Sequence, residues 1–129
     1  MAAPMSPELL AVISKYRDHP EFLGIDIVDV NQPGAVDDTL LHIASRSGSV
    51  DDVKVLVSSG ARVNAPGDMG FTALHFAAMK GRVDLVELLL AMGADPTVEN
   101  EWGEVPAETA AKGGHQDVAK ALASRTRRR

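Results

Sequence analysis

Two histidines, His42 and His75, lie 33 residues apart in matching surroundings, and imidazole side chains can bind metals or transfer protons. A protein zinc site needs three or four ligands at suitable spacing, and no further ligand recurs with this pair. The sequence also lacks Cys, a phosphate-binding loop, a dinucleotide fingerprint and a nucleophile paired with a base. We therefore expect no enzyme activity, no cofactor and no metal site.

The two histidines belong to a segment that the chain repeats. The stretches TLLHIA (39–44), TALHFA (72–77) and VPAETA (105–110) begin 33 residues apart. A fixed period of this length indicates a stack of similar units whose long surface suits binding. Other positions keep the same spacing: Gly48, Gly81 and Gly114; Asp51, Asp84 and Asp117; Leu56, Leu89 and Leu122.

Each unit has the pattern of two short helices. Thr39 and Thr72 are suited to the N-cap of a first helix, and a following Gly is suited to end that helix in a left-handed conformation. In the second helix of the middle unit, apolar residues at three- and four-residue steps predict a buried stripe. The stripe consists of Val83, Val86, Leu89 and Leu90. The sequence therefore predicts an all-α solenoid.

These features resemble the ankyrin repeat, with its Thr-Pro-Leu-His motif, helix-breaking Gly and closing Gly-Ala. The match covers about residues 34 to 124. Asp37 stands where the pattern has Gly, so we expect a distorted first turn, and Val105 and Glu108 replace the Thr and His of the third unit. The resemblance implies helix-turn-helix units joined by extended β-turn fingers, with the motif histidines as hydrogen-bonding struts between turns. The middle unit matches best, through Gly70, Thr72, Leu74, His75, Ala77, Ala78, Gly81, Gly93, Ala94 and Asp95.

We expect one ankyrin-repeat domain over residues 1–129. The segment at 29–31 aligns with 62–64 and 95–97, so residues 1–33 are interpreted as a degenerate capping unit. Its helix begins at Ser6, with Pro7 and Glu8 in the first turn. Three repeats then follow at 34–66, 67–99 and 100–124, with a basic tail at 125–129.

The charge distribution favours a basic partner. The formal net charge is −5, and the tail carries four of the 13 basic residues, so the rest of the chain has 9 basic and 18 acidic residues, a balance of −9. No Lys or Arg lies between Arg17 and Arg46 or between Arg82 and Lys112, and both stretches contain at least six acids. Acidic fingers would steer a basic protein toward this edge. The simpler alternative is that they only maintain solubility.

We predict the binding surface from the fingers and from the ends of the first helices. Trp102, the single Trp, and Met69 are candidate anchors, because exposed aromatic and apolar side chains ringed by charge are typical of interface hot spots. Phe71 is a weaker candidate, because a ring after the turn Gly often packs on its neighbour. Ordinary solvated positions are the alternative for each residue. The predicted partner-binding residues are Asp38, Arg46, Asp68, Met69, Phe71, Met79, Lys80, Glu101, Trp102, Glu104 and Lys112.

The predicted function is a protein–protein interaction module, acting as an inhibitor or an immunity-type protein (antitoxin) that blocks a basic partner. The alternatives are a regulatory adaptor in signalling or transcription, and a self-associating structural protein. The open end of the third unit would have to present its apolar residues or bury them on another chain: Ala107, Ala110, Ala111, Val118, Ala121 and Leu122. Because most of these are small, we expect a monomer.

No nucleic acid is expected, since the Arg-rich tail at 125–129 is attached to an acidic body that would repel phosphates. No membrane contact is expected either, because the chain lacks an 18-residue apolar run and the features of a signal peptide. We therefore expect a soluble, cytoplasmic protein.

Overall fold

The computed structural model describes residues 5–126, and within that range it is all-α. Seven α-helices and two single-turn 3-10 helices account for its regular structure. The α-helices are α1 (Pro7–Tyr16), α2 (Leu40–Ser47), α3 (Val50–Ser58), α4 (Ala73–Met79), α5 (Val83–Ala91), α6 (Pro106–Lys112) and α7 (Gln116–Thr126), and the 3-10 turns are Pro20–Phe22 and Asp68–Gly70. The Arg-rich segment at 127–129 lies outside the described residues.

The helices form two layers. Helices α2, α4 and α6 pack side by side in one layer, and α1, α3 and α5 pack in the second. Within each unit the two helices contact one another, as α2 with α3, α4 with α5 and α6 with α7. No unit could bury its apolar stripe alone, so the stack is the source of stability.

Left-handed glycines end the first helix of each unit, as predicted. Gly48, Gly81 and Gly114 have φ values of 81°, 69° and 83°. At the first of them the Gly48 N–H bonds back to the Ala44 carbonyl at 3.0 Å, which satisfies an otherwise free helix end.

The predicted stripe of α5 is correct except at its first residue. Val86 and Leu89 are buried and Leu90 is half-buried, but Val83 is 56% exposed. Leu85 completes the buried face instead. At about 100° per residue, Leu85, Val86 and Leu89 fit within one arc, and Val83 lies about 60° beyond its edge.

A buried polar cluster joins the N-terminal helix to the first repeat. Asp52 occupies the position of Leu85 and Val118 in the later units, and its carboxylate is almost fully buried. Lys15 Nζ lies 2.9 Å from both carboxylate oxygens, and the Tyr16 hydroxyl donates to Oδ2 at 2.7 Å. Burial alone would raise the pKa of Asp52, but these hydrogen bonds outweigh it and hold the pKa below its ordinary value.

Asparagine side chains bridge successive units on their loop side. Asn31 donates from Nδ2 to the Gly60 carbonyl at 3.0 Å and accepts from the Arg62 N–H at 2.8 Å. One unit later, Asn64 makes the same pair of bonds to the Gly93 carbonyl and the Asp95 N–H. These bridges fix the spacing between neighbouring loops.

The last unit covers most of its own apolar residues. Ala107, Ala110, Val118 and Leu122 are buried within the chain. For these four residues the expectation of exposure or burial on a second chain was therefore wrong, because α6 packs against α4 and α7 packs against α6. Ala111 and Ala121 remain exposed, and both are small.

Candidate functional site

Three fingers project from the starts of α2, α4 and α6. We define them as residues 34–38, 67–71 and 100–104, since the N–H of the first residue of each bonds to the carbonyl of the fifth at 2.8 to 2.9 Å. The fourth residue is left-handed in all three, with φ of 75° at Asp37, 77° at Gly70 and 76° at Gly103. The expected distortion of the first turn was therefore wrong. Asp tolerates the left-handed conformation better than most residues, so Asp37 reproduces the geometry of Gly.

The two motif histidines brace these fingers. Each accepts at Nδ1 from the N–H of its preceding Thr, at 2.9 Å for His42 and 3.0 Å for His75. Because Nδ1 accepts, Nε2 carries the proton and donates to a carbonyl of the next unit, Ala65 at 2.8 Å or Glu104 at 2.9 Å. Burial lowers the pKa of both histidines, although the bonds to the carbonyls partly oppose that shift.

In the third unit a carboxylate replaces the imidazole. Glu108 Oε1 accepts from the Val105 N–H at 3.0 Å, so it makes one of the two bonds that a histidine would make. Across residues 5–126, no three His, Asp or Glu side chains come together as a metal site would require. The geometry therefore gives His42 and His75 the structural role that the resemblance implied.

Hydrogen bonds join each finger to the unit before it. Glu21 Oε2 accepts from the Val36 N–H at 2.7 Å, and Asp38 Oδ1 accepts from the Asp68 N–H at 2.9 Å. Between the second and third fingers the link is backbone to backbone, from the Glu101 N–H to the Met69 carbonyl at 3.0 Å. Met69 also has a positive φ of 59°. The fingers therefore form one connected platform.

Asp38 does not lie on the surface, contrary to its prediction as a partner contact. Its side chain is 1% exposed, and Oδ2 pairs with Arg46 Nη1 at 3.3 Å while Oδ1 holds the second finger. Burying a carboxylate is costly unless such partners replace the water that it loses. Asp38 therefore holds the second finger in place.

A pair of positions changes its chemistry from unit to unit. Asp38 and Arg46 form an ion pair in the first repeat, and the equivalent Glu104 and Lys112 form one in the third. In the middle repeat the same two positions hold Phe71 and Met79. An apolar patch therefore lies between two ion pairs, one unit away on either side.

This patch opens into a hollow of about 500 Å³, which we call the aromatic groove. The Trp102 ring lies nearly perpendicular to the Phe71 ring, with centroids 6.0 Å apart, and Phe71 packs in turn on Phe76 at 5.4 Å. Trp102 is still 62% exposed. The groove brings together five of the predicted site residues, and its complete lining is Phe71, Met79, Trp102, Glu104, Thr109, Lys112 and Gly113.

Other predicted residues surround the groove. Asp68, Met69 and Glu101 are exposed at the finger tips, and Lys80 is exposed next to Met79. The Arg46 guanidinium lies 5.1 Å above the Phe76 ring, so Arg46 is separated from the groove by that ring.

The prediction missed Asn100, which builds the third finger. Its Oδ1 accepts from the Trp102 N–H at 2.9 Å and the Glu104 N–H at 3.0 Å, and its Nδ2 donates to Glu104 Oε1 at 3.0 Å. The bonds from Asn100 and Lys112 hold the pKa of Glu104 below its ordinary value. The sequence did contain a signal for this role. Asn100 stands where the earlier fingers have Gly34 and Gly67, and Asn side chains commonly bond to the backbone two residues on.

A second hollow, of about 740 Å³, lies between α1 and α3 and contains none of the predicted site residues. It includes Leu9, Val28 and Val55 in its lining.

The fold and the finger platform define a helical repeat protein. Comparison with protein families agrees, since the model described as "Ankyrin repeats (3 copies)" matches residues 9–100 and 70–128. The chain belongs to the ankyrin-repeat family. A search of curated proteins finds no match. Ankyrin repeats generally mediate binding between proteins and are non-catalytic interaction modules. Within the described part of the chain, no helix combines the length and apolar character needed to cross a membrane.

Proposed function

We propose that this chain binds a partner protein through the three fingers and the aromatic groove. The observation that carries the proposal is Trp102, which is 62% exposed on a finger whose backbone is fixed by Asn100 and by the link to Met69. A large ring held on a rigid support loses little entropy on binding, so it suits an interface anchor. Phe71 and Met79 form the wall against which a partner side chain packs.

The partner presents a basic surface to the finger tips. Asp37, Asp68 and Glu101 are exposed there, and the chain without its last five residues has a balance of −9. This field steers a cationic protein to the fingers and weakens as salt is added. An inhibitor or immunity-type protein that covers a basic enzyme, such as a nuclease toxin, fits this charge. In this proposal the chain acts as a monomer in the cytoplasm.

The alternative is a regulatory adaptor that uses the same surface in signalling or transcription. The negative balance favours a basic partner in either role, so the identity of the captured protein separates the two.

The test is affinity capture from a lysate of the source organism at low and at high salt, read by quantitative mass spectrometry. The wild type is compared with Trp102→Ala and with the control Val83→Ala, which removes a similarly exposed apolar side chain from α5. We expect a basic protein that is captured by wild type and by Val83→Ala, and that is lost with Trp102→Ala and with high salt. A partner that survives Trp102→Ala would place the interface elsewhere. An acidic partner would exclude the blocking role.

A further inference from the structure

Two ion pairs, Glu104–Lys112 in the lining of the groove and Asp38–Arg46 beyond the Phe76 ring, are arranged with their cations toward solvent. The Arg46 side chain is 40% exposed and its partner Asp38 is 1% exposed. The Lys112 side chain is 72% exposed and its partner Glu104 is 14% exposed. The two carboxylates are therefore largely covered. A partner that approaches either ion pair meets the positively charged side chain first.

These cations share one edge of the layer formed by α2, α4 and α6. Arg46 and Lys112 lie in the last turns of α2 and α6, and Lys80 immediately follows α4. Since the three helices pack side by side, their ends fall in a row across the stack. Cations are favoured at helix C-termini, and of these three Lys112 lines the groove itself.

The binding edge consequently has two rows of opposite charge. The acids Asp37, Asp68 and Glu101 are at the finger tips, the cations are at the helix ends, and the apolar groove lies between Trp102 of the third finger and Lys112 of α6. A partner that was basic throughout would be attracted by the tips and repelled by the helix ends.

We infer that the aromatic groove receives an extended partner segment in which one large apolar side chain is adjacent to a carboxylate. The apolar side chain packs among Phe71, Met79 and Trp102, and the carboxylate accepts a hydrogen bond from Lys112, while Lys80, exposed next to Met79, adds positive charge nearby. This inference rests on the proposed function and adds the chemistry of the segment that enters the groove.

The size and the donors of the groove support such a segment. About 500 Å³ is at the smaller end of the usual range of ligand sites, so it suits one side chain with its neighbours. Lys112 has three N–H donors, and its contact with Glu104 leaves others to face a ligand. A hydrogen bond between an ammonium and a carboxylate is among the stronger kinds, so an acid next to the anchor adds both affinity and direction.

A phage-displayed library of random 12-residue peptides, selected on the folded wild-type protein, tests this chemistry. We expect the enriched sequences to place Trp, Phe, Leu or Met within two residues of Asp or Glu. Because Trp102 is the single Trp, its fluorescence reports occupancy of the groove directly with a Trp-free peptide. Binding should shift its emission to shorter wavelength as the ring leaves water.

Charge-neutralising variants complete the test. In Lys80→Gln/Lys112→Gln the selected peptides should bind roughly tenfold more weakly, the equivalent of losing about 1.4 kcal/mol. The matched control is Lys54→Gln/Lys120→Gln, which neutralises two exposed lysines on α3 and α7 and should leave affinity unchanged. Circular dichroism is used to check that both double variants are folded.

The outcomes separate this inference from the proposed function. Enrichment of Lys and Arg beside the anchor, equal binding by the two double variants, or no enrichment at all would overturn the acidic segment. Loss of a lysate partner in Trp102→Ala would then still support the proposed surface. Selected peptides that bind Trp102→Ala as tightly as wild type would overturn the groove itself.

Discussion

Ser45 occupies a position at which the next two units carry Ala78 and Ala111. Its side chain is fully buried in α2, and its hydroxyl has no hydrogen-bond partner among the described residues. A buried polar group without a partner loses its bonds to water and regains nothing in the folded state. The residue is therefore a local defect in the core.

Ser45→Ala should accordingly stabilise the protein. We expect the free energy of unfolding to rise by about 1 kcal/mol, because alanine removes the desolvated hydroxyl and fits a site where Ala78 is already buried in the next unit. Urea unfolding followed by circular dichroism measures the change. Ser124→Ala, at an exposed position of α7, is the control and should have little effect on stability. A loss of stability in Ser45→Ala would show that the hydroxyl has a partner.

At the scale of the helices, the glycine that ends a first helix meets different surroundings in different units. A side chain at Gly81 would place its Cβ in collision with the His115 ring, whereas a Cβ at Gly114 would meet nothing within 4 Å. Both residues are left-handed, with φ of 69° and 83°. The conformational cost of adding a side chain is therefore similar at the two sites. The steric cost is larger at Gly81.

Gly81→Ala should destabilise the stack more than Gly114→Ala. Both variants incur the left-handed strain of about 1–2 kcal/mol, and Gly81→Ala must also displace the His115 ring, which adds about 1 kcal/mol or more. The difference in unfolding free energy between the two variants is the quantity to measure. Equal losses would indicate that His115 moves aside without cost, and the contact would then have no part in joining the second and third repeats.

Across the whole molecule, the features that recur in each unit could be predicted from the sequence. The contacts that are specific to one pair of neighbouring units could not. Thr72, His75 and Gly81 recur at fixed spacing, and each has a local physical reason for its role, so the helices and struts could be predicted. The burial of Asp38 could not, because it depends on a hydrogen bond to the Asp68 N–H of the next finger. The groove could not be predicted as a cavity either, since Phe71 and Trp102 lie in different units and meet only in the stack.

The same interunit contacts make the stability of the stack sensitive to mild acid. Burial lowers the pKa of His42 and His75 from the ordinary value of 6.5. Below that pH the two histidines therefore bind protons more readily in the unfolded chain than in the folded chain. Stability is therefore complete above about pH 6.5 and falls as the pH decreases through the folded-state pKa values. Asp52 adds a separate loss at lower pH, because its lowered pKa gives stability only above the ordinary value of 3.8.

A variant that keeps the struts but cannot titrate isolates the histidine contribution. In His42→Gln/His75→Gln the amide oxygen can accept from the Thr N–H, as Glu108 does in the third unit, and the amide nitrogen can donate onward. We expect the urea midpoint of the wild type to fall between pH 7.5 and pH 5.0, and that of the double variant to fall less. Parallel curves would mean that the two histidines are protonated equally in the folded and unfolded chain, which the bonds from Thr39 and Thr72 to Nδ1 oppose, because a protonated Nδ1 cannot accept them.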